Sequence, residues 1–109
     1  MNVPDIRLAF VSHIYTRLMH FKNAGDTEQG HKHNFDHVTL LASGSLEITV
    51  DGHVTTFVAP HLIFIDKDKE HKLVALEDNT VACCIHGIKD SSGDFVDQTM
   101  VPNGVNKDT

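Results

Sequence analysis

Positive charge is scarce in this chain. Nine Lys and Arg residues stand against fifteen Asp and Glu, a formal charge of −6. Phosphate-backbone binding relies on clustered Lys and Arg, so a nucleic-acid surface is excluded. Lys67, Lys69 and Lys72 alternate with Asp66, Asp68 and Glu70, which reads as a solvated loop. Cysteine is almost absent: Cys83 and Cys84 are the only two, and they are adjacent. On a strand, neighbours point to opposite faces, so the pair makes no disulfide staple. Nor does it have the spacing of a zinc finger. Tryptophan is missing, and no apolar run approaches the roughly 20 residues that cross a bilayer. The first seven residues lack the charged and apolar regions of a signal peptide. The expectation is a cytoplasmic protein without a membrane partner. There is no Gly-rich phosphate loop, nucleophile elbow or supported Ser-His-Asp pattern, which disfavours a hydrolase acting by covalent catalysis.

Helical patterning is the last absence, since no stretch of ten or more residues carries a helical stripe. Short alternating runs take its place. The sequence predicts an edge strand over 8–11 and strands over 15–22, 46–50 and 53–58, with the hairpin signal Asp51-Gly52 between the last two. Residues 23–30 read as polar and turn-rich. Residues 72–76 and 81–88 read as a hairpin-like pair. About six to nine short strands separated by turns indicate an all-β barrel or sandwich. A chain of 109 residues supports one domain, 1–109, with a core over about 15–88 and a C-terminal extension over 89–109. Phe95, Val96, Met100 and Val101 in that extension are candidates to dock on the barrel or on a neighbouring subunit. So small a core favours burial by association, and a homodimer is expected, with the apolar N-terminal edge covered by the second copy.

The most informative feature is a histidine pattern. His31, His33 and His37 are followed by a distant His71. On an extended strand, positions i, i+2 and i+6 share one face, so the run from 30 to 41 would aim three imidazoles into one space. Neutral imidazole binds Zn, Fe, Mn, Co, Ni and Cu, and three or four converging rings make a metal site.

These residues resemble the cupin family. Its first motif, G-x5-H-x-H-x3-4-E-x6-G, is matched by Gly25, His31, His33, the spacing to position 37, and Gly44. His37 stands where the family usually has Glu, as in the four-histidine subset of small cupins. The second motif, G-x5-P-x-G-x2-H-x3-N, is matched only by His71. Pro60, Asp66, Asp68 and Ala75 occupy its other positions. The resemblance spans about residues 17–87. It implies a double-stranded β-helix (a jelly-roll-like barrel) and one divalent transition metal on His31, His33, His37 and His71. Mn or Fe comes first, with Zn, Ni, Co or Cu as isolated.

Four neutral imidazoles leave the metal's +2 charge uncompensated, which favours a small anionic ligand or substrate. Arg17 could hold a carboxylate by a bidentate contact. His20 is a candidate pocket wall. His86 and Cys84 share strand parity with Ala82 and line the cavity if that parity points inward. The leading expectation is a metal-dependent dioxygenase or other oxidoreductase of a small organic molecule. The alternatives are a lyase or isomerase of a small oxyanion such as a sugar acid, and a non-catalytic binding module. One feature discriminates. A Lewis-acid enzyme needs a proton-transfer group beside the metal, from Tyr15, His20, His86 or a carboxylate. An oxygen-activating site can work with apolar walls, for which Leu41, Ile48, Val50, Phe57, Ile63 and Ile65 are suited.

Overall fold

The computed structural model describes residues 2–30, 36–66 and 68–87. Among them nine strands form two antiparallel sheets: β1 (Asp5–Val11), β2 (Ile14–Phe21), β3 (Thr27–Gln29), β4 (His37–Ser43), β5 (Ser45–Val50), β6 (His53–Val58), β7 (His61–Ile65), β8 (His71–Ala75) and β9 (Thr80–Gly87). One sheet runs β1-β2-β9-β4-β7 and the other β3-β8-β5-β6. No helix long and apolar enough to cross a membrane occurs among the described residues.

Alternation fixes which residues enter the space between the sheets. On β2 the inward residues are Tyr15, Met19 and Phe21, all buried. On β4 they are His37, Thr39 and Leu41, and on β8 His71, Leu73 and Ala75. The registers Arg17↔Cys84, Thr39↔Cys84 and Leu41↔Ala82 set β9 beside both β2 and β4. Leu46 and Ile48 of β5 close the far side.

The interior is graded along its length. One end is hydrocarbon, with Phe21, Leu41, Leu46, Ala75 and Ala82 at no more than 1% exposure. Toward the other end the same strands supply Tyr15, His37, His71 and His86 instead. A barrel this small holds its fold with one half and is polar in the other.

Turn chemistry closes the strands where expected. Asp51 and Gly52 both have positive φ, 46° and 84°, as the two-residue turn between β5 and β6 requires. Gly44 joins β4 to β5 at φ 79°, where a side chain would run into Thr80.

Three sequence expectations need correction. The turn-rich segment 23–30 contains β3, which pairs with β8 through Glu28↔Leu73. Strands β8 and β9 are not a hairpin: they lie in different sheets. β8 pairs with β3 and β5, while β9 pairs with β2 and β4. The strand expected across 30–41 begins at His37 in the described part, and residues 31–35 lie outside it.

Candidate metal centre

His37 and His71 come from opposite sheets and meet inside the barrel, with ring centroids 5.4 Å apart. Both are buried, at 6% and 7% exposure. Their strands bring them there for different local reasons. His37 opens β4 opposite Ile65, on the face that continues through Thr39 and Leu41. His71 opens β8 opposite Val50. Its Nδ1–H donates to the Lys69 carbonyl over 3.4 Å, which leaves the lone pair of the neutral ring on Nε2. Gly30 backs this histidine so closely that a Cβ there would overlap the His71 carbonyl.

The pair suits a shared metal. With N–metal bonds of about 2.1 Å, two imidazoles on one ion have centroids about 4.5–6 Å apart. Two buried imidazoles from different sheets thus lie within the separation that one ion could bridge. His31 and His33, the other two expected ligands, lie outside the described residues, as does Lys67. Among the described residues no group of three or more ligating side chains forms.

Around these histidines runs a polar wall. Extending the Val38↔Ile85 pairing by one residue brings His37 opposite His86. His86 in turn pairs with Tyr15, and their rings lie 4.8 Å apart. The Nδ1–H of His86 donates to the Gly87 carbonyl at 2.7 Å, so the lone pair of the neutral ring sits on Nε2. Burial pushes the Tyr15 phenol up from its ordinary value, against the nearby Arg17 charge. One step further in, Cys84 Sγ and Thr39 Oγ1 share a 3.4 Å hydrogen bond. Burial also raises the Cys84 thiol, with the Thr39 contact opposing it.

Arg17 lies on this inner face and is committed to Glu28 of β3 at 2.9 Å, while Nη1 donates to Met19 Sδ at 3.4 Å. An arginine already paired inside the barrel is not the open carboxylate clamp that its sequence position suggested. Glu28 was missed because β3 was missed. Once that strand is known, its alternation places Glu28 beside the inward Leu73.

His20 is not a pocket wall. It pairs with Val81 and Asp5 on the outer face of its sheet and bonds Asn79 Oδ1 at 3.1 Å. The reason is parity, since Met19 and Phe21 on either side are the buried residues. His13 and His53 are exposed, and His61 begins β7 with its ring edge-on to Phe57. The degraded second motif keeps one property of the family pattern. Asp68, at its glycine position, holds φ 60°.

No protein-family model matches the chain, and no functionally curated protein matches it by sequence. Solved structures do resemble it. A cupin 2 domain-containing protein from Halorhodospira halophila superposes with a TM-score of 0.67 at 17% identity, over 76% of this chain and 63% of that one. An RmlC-like cupin from Desulfovibrio desulfuricans gives 0.66 at 21% identity, over 76% and 81%. The KdgF structure from Halomonas sp. gives 0.61 at 16% identity, over 80% of each chain. The fold is therefore that of the cupins, an all-β double-stranded β-helix. At these identities the likeness reaches the fold and no further.

Proposed function

We propose that this chain is a metal-dependent enzyme acting on a small anionic molecule by proton transfer, with His31, His33, His37 and His71 holding one divalent transition metal. A lyase or isomerase of a small oxyanion, such as a sugar acid, is the reaction class. The observation that supports this reading is the inward row His37, His86 and Tyr15, in which two groups able to transfer protons stand beside a histidine proposed as a ligand. Apolar walls alone would have favoured oxygen chemistry.

The metal, when bound, supplies Lewis acidity to a substrate oxyanion. The protein's own groups do the rest. His86 accepts a proton at Nε2, its tautomer fixed through Nδ1 by the Gly87 carbonyl. Tyr15, with its phenol held protonated by burial, donates one. The Arg17–Glu28 pair adds no net charge to the inner wall. A dioxygenase is the second reading, supported by buried Ile63 and Ile65 on the strand beside His37.

The test begins with metal content of untagged protein. Wild type should carry one metal per chain, and His33→Ala and His71→Ala should carry almost none. Metal should also leave on acidification, since imidazole binds only when neutral. Full occupancy in both variants would remove the metal assignment. With sugar acids as candidate substrates, solvent deuterium should enter the substrate. His86→Ala should slow turnover by about 10²–10⁴-fold with metal content unchanged. Oxygen consumption without deuterium incorporation would replace this reading by the second one.

A further inference from the structure

Inward strand positions form rows across the barrel. His37, His86 and Tyr15 share the row at the polar end, with His71 facing them from the second sheet. Two residues further in stand Arg17, Cys84 and Thr39 on the first sheet. Glu28, Leu73 and Ile48 hold that depth on the second. The row beneath is hydrocarbon, with Met19, Ala82, Leu41, Ala75 and Leu46 at no more than 1% exposure. The Arg17–Glu28 ion pair therefore lies on the floor of the polar half, one row in from the two histidines. Among the described residues no other Lys, Arg, Asp or Glu occupies an inward strand position.

Stability does not account for this pair. Taking two charges out of water costs about what their attraction returns, and apolar side chains of similar volume often serve as well. Nor is the pair sealed like the row beneath it, since its side chains are 28% and 16% exposed. Its bonding capacity is also not used up. A guanidinium has five N–H donors and a carboxylate about four lone-pair sites. The 2.9 Å contact and the bond from Nη1 to Met19 Sδ engage only some of them. Charge decides what such a pair recognises. A carboxylate brought to it is repelled by Glu28, and an ammonium by Arg17. A hydroxyl is donor and acceptor at once and satisfies both. We propose that Arg17 and Glu28 form a hydroxyl subsite, in which Arg17 donates to the oxygen of a substrate C–OH and Glu28 accepts a hydrogen bond from it. The inference rests on the proposed reading of the histidines as the place where the substrate's anionic end is held. It narrows that substrate to an acid with a hydroxyl on the part remote from the metal.

The experiment compares two six-membered-ring acids, galacturonate with hydroxyls and cyclohexanecarboxylate without, by calorimetry on full-length protein loaded with Mn²⁺. Wild type should prefer galacturonate by about 10–100-fold, the fold-change of one hydrogen bond to a charged group. Arg17→Met combined with Glu28→Leu should fold, as apolar replacements of such pairs do, and should lower that preference at least about tenfold. Glu28→Gln keeps the side-chain volume and gives a second readout. It leaves the guanidinium uncompensated, so it should bind cyclohexane-1,4-dicarboxylate at least about threefold more tightly than wild type. A pair that only braces the two sheets would move neither quantity. Wild type that retains metal but binds the two acids alike, or not at all, overturns the inference alone. So does a preference that survives in the double variant while Glu28→Gln gains nothing for the dicarboxylate. Wild type that retains no metal and binds neither acid overturns it together with the enzymatic reading. A pair-dependent preference in protein without metal would support the subsite and remove that reading.

Discussion

At the residue scale, Gly30 shows how one missing side chain positions a buried histidine. It follows β3 and runs against the start of β8, with no room for a Cβ beside the His71 carbonyl. The obstructing atoms are backbone, so an added methyl cannot be relieved by a rotamer change. Gly30→Ala should destabilise the protein by about 1–3 kcal/mol, the range for overpacking a close contact. It should also weaken metal binding, because β8 must shift and carries His71 with it. Thermal denaturation with and without chelator measures both effects. A variant with unchanged melting temperature and metal content would mean that the contact relaxes at no cost. None of this was visible in the sequence, where Gly30 is one glycine before a histidine run. The inward meeting of His37 and His71 was legible because their spacing along the chain singled them out. The Arg17–Glu28 pair was not, because it joins positions that only the packing of two sheets brings together.

At the scale of elements, hairpins were legible and sheet assignment was not. Asp51-Gly52 announces its turn because few residues accept two consecutive left-handed conformations. The pairing of β8 and β9 was misread for an opposite reason. A short polar connection such as 76–79 looks the same whether the chain folds back within a sheet or crosses to the other one. The β1–β2 hairpin adds a case that sequence signals would miss. Ser12, φ 56°, takes a left-handed conformation where glycine is the usual residue. Replacing it removes a local strain without touching the core. Ser12→Gly should therefore raise stability by about 0.5–1 kcal/mol, net of the greater entropy glycine loses on folding. Chemical denaturation of the two proteins side by side decides it. A fall in the midpoint would mean that the serine hydroxyl does more for the turn than its backbone costs.

At the scale of the whole molecule, the graded interior ties stability to pH on the alkaline side. Cys84 and Tyr15 both sit in the polar half, and burial raises both above their ordinary values of 9.0 and 10.0. A group that holds its proton more tightly when folded contributes stability that is complete below its unfolded pKa. That contribution is lost as pH climbs toward the folded value. Stability should thus be level up to about pH 9, fall as the unfolded thiols of Cys84 and, to a lesser degree, Cys83 begin to ionise, and fall more steeply above about pH 10 as Tyr15 joins them. Each group adds a slope of at most about 1.4 kcal/mol per pH unit. Urea midpoints measured across this range with chelator present keep metal release out of the comparison. Cys84→Ala should make the fall between about pH 9 and 10 shallower, leaving the smaller part that the less buried Cys83 contributes, at some cost in packing at lower pH, and Tyr15→Phe should flatten the upper limb. Wild-type midpoints that stay level through pH 10, or a Cys84→Ala profile that falls in parallel with wild type, would show that the buried thiol does not set the alkaline limit of the fold.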